Sequence, residues 1–226
     1  MRAELEALLS HNAIFSLLSA DQRQAVQQRA QHRRYPKGSY LALYGDVWPY
    51  LFIVADGQVD GVKESEEGRQ LILLSAGPGA VFWGLAFFKE ETRMPVSLQA
   101  RQDSQVFLWS REALVPLLRG APDALWRLCE QMIGYMQHAS QIVEGLAFQP
   151  VAGRLASFLL SQFAGLGETA ITRDLTLDQI AAKIGTTREQ TCRALYQFSD
   201  QNLITITRTE LQLLDKAGLA RVAGQS

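Results

Sequence analysis

TLDQIAAKIGTTREQTCRALYQFSDQNLITI, residues 176–206, holds two helix starts eleven residues apart. Thr176 with Gln179 forms a T-x-x-Q capping box, and Thr187 with Gln190 repeats it. In such a box the hydroxyl accepts from the third backbone N–H and the amide reaches back to the cap. Between the two starts lies Gly185, a turn residue, and Ala181 four positions earlier is small enough to let two helices approach closely. This is the spacing of a helix-turn-helix. LITITRTELQLL (203–214) alternates and then turns, which reads as a β-hairpin wing behind it.

The second helix of such a unit enters the DNA major groove by its N-terminal end. Here that end carries Arg188, Glu189, Gln190 and Arg193. An arginine donates two hydrogen bonds to guanine O6 and N7, and a glutamate accepts from cytosine N4. Thr187, at the helix N-terminus, and Thr176, at the start of the helix before it, are candidate phosphate contacts through hydroxyl and backbone N–H. A solvated charged helix face is the plainer reading, but caps, glycine turn, wing and charge cluster all agree on DNA. After residue 150 there are eight basic and seven acidic residues, so binding rests on a local basic face.

Upstream, Pro150 opens a helix, VAGRLASFLLSQF, followed by a Gly-rich loop, AGLGETAITRD. From Pro122, Leu125, Leu128, Met132, Tyr135, Ala139, Ile142 and Leu146 recur at alternating spacings of three and four. That is an a/d seam. Either this helix packs on its own domain or it meets a partner; a seam of this length favours a second copy of the chain. Cys129 falls one residue off it. Ser110 is placed to cap a shorter helix through Leu118.

Residues 35–110 read as β structure: YLFIV (50–54), LILL (71–74) and QVFLW (105–109) are short apolar runs, with turn signals at Asp56-Gly57 and SEEGRQ (65–70). Such strands suggest a barrel or jelly roll. Residues 4–31 are helical in pattern, with Ser19 an N-cap. The expectation is an α+β chain: a β-roll sensor domain over 1–110, connecting and dimerisation helices over 111–149, and a winged helix-turn-helix over 150–226.

The 226 residues carry a net charge of −1 and 47% hydrophobic residues. No run reaches the roughly 20 apolar residues of a membrane helix, and Met1–Ala20 has no signal-peptide pattern. Cys129 and Cys192 are far apart, as expected of a reducing cytoplasm. His11, His32 and His138 are scattered, and HxH, HExxH and GxSxG are all absent. This argues against a cupin-like metal enzyme and against catalysis generally.

The chain resembles the Crp–Fnr superfamily of bacterial transcription regulators from about Phe15 to Leu214. TTREQTCRAL is similar to that family's recognition helix. PDALWRLCEQM, GLAFQPVAGRLASFLL and DQNLI are similar to its dimer helix, hinge and following segment. Gly45, Gly57, Gly68 and Gly79 stand where the family's β-roll glycines stand. The resemblance implies a cytoplasmic homodimer that reads a palindrome in double-stranded DNA, with Arg188, Glu189 and Arg193 on the bases. Arg188 implies TGTGA-like half-sites; Cys192, in place of a small Gly or Ser, leaves the central base open. A contact between the loop Ser161–Thr172 and RNA polymerase is implied too. So is a mechanism in which an effector or redox event in the β-roll shifts the seam helices and so sets the separation of the recognition helices.

GAVFWGLAFFKEETRMPV (79–96) gathers eight large apolar residues. In cyclic-nucleotide-binding members of the family this stretch holds G-E-L, whose Glu takes the ribose, and R-S-A, whose Arg and Ser take the cyclic phosphate. Counted without gaps, this chain offers Trp83-Gly84-Leu85 and Met94-Pro95-Val96. Arg93 is adjacent, but a slip of one residue in a strand turns the side chain to the other face. Ala139 stands where a base-touching Thr is usual, and Ser140 alone is kept. The resemblance therefore argues against cyclic AMP, while the helix-turn-helix argues against a cyclic-nucleotide-binding module acting on another protein. Instead Phe82, Trp83, Gly84, Leu85, Met94, Pro95, Val96 and Ser140 are candidates for an apolar effector pocket, unless Trp83 and Met94 simply plug it. An iron–sulfur cluster is disfavoured because the N-terminus has no cysteine. Haem is a candidate cofactor, with His11 or His138 as ligand, by a loose likeness to the nitric-oxide-responsive branch.

Overall fold

The computed structural model describes residues 2–164, 170–172, 175–207 and 209–224. The chain divides into two compact units, residues 1–63 with 73–138 and residues 64–72 with 139–226. The division thus runs inside the long helix rather than at its ends, and the tip of one β-hairpin belongs with the second unit.

The first unit begins with α1 (Arg2–His11) and α2 (Ala20–Gln28). Ser19 caps α2 in a full capping box with Gln22. Eight strands follow: β1 (Gln31–Tyr35), β2 (Tyr40–Ala42), β3 (Tyr50–Asp56), β4 (Val59–Glu64), β5 (Gln70–Ala76), β6 (Val81–Trp83), then a short α3 (Leu85–Phe88), β7 (Ser97–Ala100) and β8 (Ser104–Ser110). They form two antiparallel four-stranded sheets, ordered β1-β8-β3-β6 and β2-β7-β4-β5. Strands β3 and β8 read as continuous apolar runs because both of their faces are buried. Leu51, Ile53, Phe107 and Trp109 face a core shared with the helices. Phe52, Val54, Val106 and Leu108, the alternate residues, fill the space between the sheets. The Trp109 indole N–H donates to the Val26 carbonyl at 2.7 Å, so this buried ring keeps its polar atom satisfied. Strand β1, QHRRY, lies outside the predicted β window; it pairs with β8 through its backbone although its side chains are polar.

Two helices close the unit. Ser110 caps α4 (Arg111–Arg119), and α5 (Pro122–Phe148) starts at its proline, as expected. The seam expectation needs correction in its first half. Leu128 is 1% exposed within the chain's own core, and Leu125, Met132 and Tyr135 pack against that core. The Tyr135 hydroxyl and the Gln131 amide both donate to the Val81 carbonyl, at 3.1 and 2.8 Å. Of the remaining seam residues Ile142 is half-buried, while Ala139 and Leu146 are exposed. A second stripe, one position further round, is exposed throughout: Trp126, Cys129, Ile133, Met136, Ser140, Val143 and Ala147. It has the same three–four spacing. Spacing identifies a stripe, but it does not say what the stripe faces.

In the second unit α6 (Val151–Gln162) follows Pro150, which is its N-cap. Then come β9 (Ala170–Thr172), α7 (Leu177–Ile184), α8 (Arg188–Asp200), β10 (Ile204–Ile206), β11 (Glu210–Leu213) and α9 (Lys216–Val222). The wing is a three-stranded sheet ordered β10-β11-β9; its third strand lies in the stretch read as a Gly-rich loop. Leu155, Leu159, Ile180, Leu195, Phe198, Leu211 and Leu219 are among the residues of its core.

Candidate nucleic-acid interface

Local chemistry sets both helices of the motif. Thr176 and Gln179 complete their capping box at 3.2 and 2.8 Å. Helix α7 ends at Gly185 in the left-handed region, φ +66°, where glycine avoids the penalty a Cβ would bring. Thr187 then caps α8, accepting from the Gln190 N–H at 3.3 Å. Only half of the second box forms, because the Gln190 side-chain oxygen accepts from the Thr186 hydroxyl instead. The inner face of α8 is Thr191, Ala194, Leu195 and Phe198, all buried. Thr191 is fully enclosed and donates its hydroxyl to the Thr187 carbonyl at 3.0 Å.

Arg188, Glu189, Gln190 and Arg193 are exposed on α8, as the sequence led us to expect, and Cys192 is half-buried among them. Two residues of this surface were missed. Asp178, on the first turn of α7, holds the Arg188 guanidinium at 3.3 Å with both side chains about two-thirds exposed. Exposed pairs of this kind contribute about 0–1 kcal/mol, so Arg188 can exchange this partner for a base edge. Tyr196, 67% exposed, lies one turn beyond Cys192 on the same face. Its exposure could have been foreseen from the helical period that buries Leu195 and Phe198.

The candidate effector residues of the first unit lie in different surroundings. Gly84 and Trp83 are buried, the latter in the core shared with the helices. Met94 and Val96 lie in the core between the sheets, with Phe82 against it. Leu85 and Pro95 are exposed, and Ser140, also exposed, belongs to the second unit. Aromatic rings occupy the space near Trp83. Phe82 stacks on Trp83 with centroids 5.6 Å apart, and Tyr135 meets both rings edge-on at 5.3 and 5.6 Å. A Cβ on Gly84 would overlap the Trp48 carbonyl oxygen and come within 2.9 Å of its Cε3. Arg93 donates to the Gly45 carbonyl at 2.8 Å, on the loop whose Val47 it bridges.

A cavity of about 870 Å³ opens elsewhere in the first unit, between α1, the 78–81 turn and α5. Leu8, Ile14, Ala55 and Val81 give it apolar walls, with His11 and Arg127 among its polar residues. The His11 ring places Nδ1 2.8 Å from the Ala7 carbonyl, which can only accept, so Nδ1–H is the donor, and in the neutral tautomer this selects, Nε2 has the lone pair. His138 is exposed on α5. Among the described residues no group of three His, Cys, Asp or Glu could hold a metal ion, and no helix is long and apolar enough to cross a membrane.

Comparison with known proteins agrees with this architecture. Residues 32–120 match the domain family "Cyclic nucleotide-binding domain", and residues 153–222 match "Crp-like helix-turn-helix domain". The "cAMP-activated global transcriptional regulator CRP" of Salmonella typhimurium is 30% identical over 176 residues, 76% of this chain and 84% of that protein. A "CRP-like cAMP-activated global transcriptional regulator" of Mycobacterium tuberculosis is 25% identical over 224 residues, 97% of this chain and all of that one. Among solved structures, the c-di-GMP responsive regulator CLP of Xanthomonas campestris superposes with a TM-score of 0.76 at 22% identity, over 86% of this chain and 99% of that one. A cyclic-nucleotide-binding-type β domain, a long helix and a Crp-like helix-turn-helix in this order make the chain a member of the Crp–Fnr family of transcription regulators.

Proposed function

We propose that this regulator works as a homodimer that reads a palindrome of TGTGA-like half-sites. The observation that carries the reading is the single exposed face of capped helix α8 on which Arg188, Glu189 and Arg193 stand together. The arginines suit guanine O6 and N7, Glu189 suits cytosine N4, and Thr176 and Thr187 suit the flanking phosphates. The outward stripe on α5 from Trp126 to Ala147 supports a parallel pairing of two copies, which would set the recognition helices roughly 34 Å apart. A contact with RNA polymerase through residues 161–172 is carried over from the resemblance; residues 165–169 of that loop lie outside the described residues.

The relatives are named as cAMP-activated, but the residues here argue for a different signal, an effector or a redox or gas event. Gly84, at the position of the ribose-binding Glu, has no room for any side chain. Arg93, adjacent in sequence to the position of the phosphate-binding Arg, is tied to Gly45. An unpaired cyclic phosphate in such surroundings would lose at least about 1–3 kcal/mol.

The test is fluorescence anisotropy on a TGTGA palindrome and on a duplex with the guanines replaced. Arg188→Ala should weaken the first by about 1–3 kcal/mol and erase the preference over the second. Binding indifferent to that substitution would remove the assignment.

One observation favours a second reading, haem-based gas sensing. His11 presents a free Nε2 beside the 870 Å³ cavity, and its Nδ1 proton is held by a backbone carbonyl, the outer contact common to metal-binding histidines. Haem held there would supply a gas-binding iron. A Soret band in freshly purified protein, lost in His11→Ala, supports this reading; a protein with no Soret band as purified, and none after haem addition and removal of unbound haem, ends it.

A further inference from the structure

Three backbone carbonyls in the second unit converge on one side chain. Arg154, in the second turn of α6, donates Nη1–H to the Gln149 carbonyl at 2.7 Å, Nε–H to Ile184 at 2.7 Å and Nη2–H to Gly185 at 3.3 Å. Gln149 is the residue after α5 ends; Ile184 and Gly185 are the last residue of α7 and its left-handed cap. Each helix leaves unpaired carbonyls and a partial negative charge at its C-terminus, which a cation satisfies. One guanidinium here serves two such ends at once.

The surroundings leave this side chain little freedom. It is half-buried, and a Cβ on Gly145 of α5 would sit 3.6 Å from the Arg154 stem. Leu146 of α5 fills the space above Gly185: a Cβ there would come within 2.5 Å of the leucine Cδ2. Two residues, Thr186 and Thr187, separate Gly185 from Arg188. The end of the long helix and the turn that launches the reading helix are therefore joined through one planar fork.

We propose that Arg154 is a positioning residue: by clasping the end of α5 to the α7–α8 turn, it fixes the direction in which α8 presents Arg188, Glu189 and Arg193. This rests on the palindrome-reading dimer proposed above. In that dimer the clasp sets the separation of the two reading faces and hence which half-site spacing is accepted. It acts on spacing rather than on base identity, since Arg154 is spent on the backbone. Lysine cannot replace it, because the three donors of an ammonium radiate from one nitrogen, whereas these carbonyls are reached from three nitrogens held apart in one plane.

The experiment uses full-length protein, Arg154→Lys and Arg154→Gln, a duplex with one half-site, and palindromes whose spacer is shortened or lengthened by one base pair. Wild type should prefer its best spacer by about tenfold, the scale of one mismatched position. Both variants should flatten that preference to about twofold, with single half-site affinity unchanged within about twofold, because the base contacts remain. A purely structural role would lower the folded fraction, seen in thermal melts, and weaken every duplex equally; a preserved spacer profile in the variants overturns the proposal. A wild type that gains nothing from a second half-site overturns the dimer reading, and the clasp's role in spacing with it. A wild type that prefers the palindrome while the variants keep its profile overturns the clasp alone.

Discussion

Replacing Gly84 with alanine tests the steric argument about the sensor stretch directly, because the sign of the effect decides. Gly84 has φ −79° and ψ 150°, a conformation open to any L-residue. At such a site Gly→Ala would stabilise by about 0.4–1 kcal/mol by restricting the unfolded chain. Here the added methyl would overlap the Trp48 carbonyl oxygen, which is backbone. That backbone is held just beyond Trp48: the Arg111 N–H donates to the Pro49 carbonyl at 2.8 Å and the Gly84 N–H to the Tyr50 carbonyl at 2.9 Å. Overpacking costs about 1–3 kcal/mol, and the rigid partner puts this site at the upper end. After the entropic gain, a net loss of about 2 kcal/mol remains, a fall in melting temperature of roughly 4–8 °C for a chain of this size. Gly134, on α5, is the control. Nothing lies within 4 Å of a Cβ there, so alanine should stabilise the helix by about 0.5–1 kcal/mol. Calorimetry of both variants at one protein concentration gives the two signs. A Gly84→Ala protein as stable as its parent would refute the crowding at Trp48, and with it the steric case against a ribose-binding side chain.

Cys129 stands on the outward stripe of α5, where a parallel two-fold pairing would bring it to its own copy. Copper–phenanthroline oxidation should give a reducible dimer that Cys129→Ser abolishes and Cys192→Ser does not; the converse pattern would reject the stripe. Burial pushes the Tyr135 hydroxyl above its ordinary value near 10, against a smaller opposite pull from Gln131. The folded form then keeps a proton that the unfolded chain releases, so stability is complete below about pH 10 and declines as pH rises through the folded value. Tyr135→Phe should lessen that alkaline decline in urea midpoints between about pH 8 and 11. Some decline should persist, because burial also raises Tyr35.

Where local chemistry decides, the sequence could be read closely. Ser19, Thr176 and Thr187 cap the helices expected of them, and Gly185 ends α7. Those residues act on backbone groups within four positions, so spacing carries the whole signal. Strand β1 and strand β9 escaped because a strand borrows its order from neighbours distant in sequence: QHRRY is organised by β8, whose partner residues run from Ser104 to Leu108. The same limit hid Asp178 behind Arg188 and Arg154 behind Gly185, and it hid Trp48. The absence of a carboxylate at Gly84 was visible in the sequence; that no side chain fits there was visible only once the Trp48 carbonyl had a position.

Helix α5 shows why the seam was the hardest element to read. Its inner stripe of Leu125, Leu128, Met132 and Tyr135 is more uniformly apolar than the outer one, which mixes Trp126, Ile133, Met136 and Val143 with Cys129 and Ser140. A search for the cleanest apolar repeat therefore selects the face turned to the chain's own core. Such a core tolerates only apolar groups or satisfied polar ones, such as the Tyr135 hydroxyl on Val81. A face left for a partner can carry polar residues that fix register and remain soluble in the single chain. In the proposed dimer, two stripes on one rod would also offer a route for a signal. The Val81 carbonyl at the start of β6 accepts from both Gln131 and Tyr135, two residues before Trp83 and three before Gly84. In the proposed dimer, an event that moved β6 would pull on the inner stripe through these two bonds, and the helix would pass that pull to the outer one.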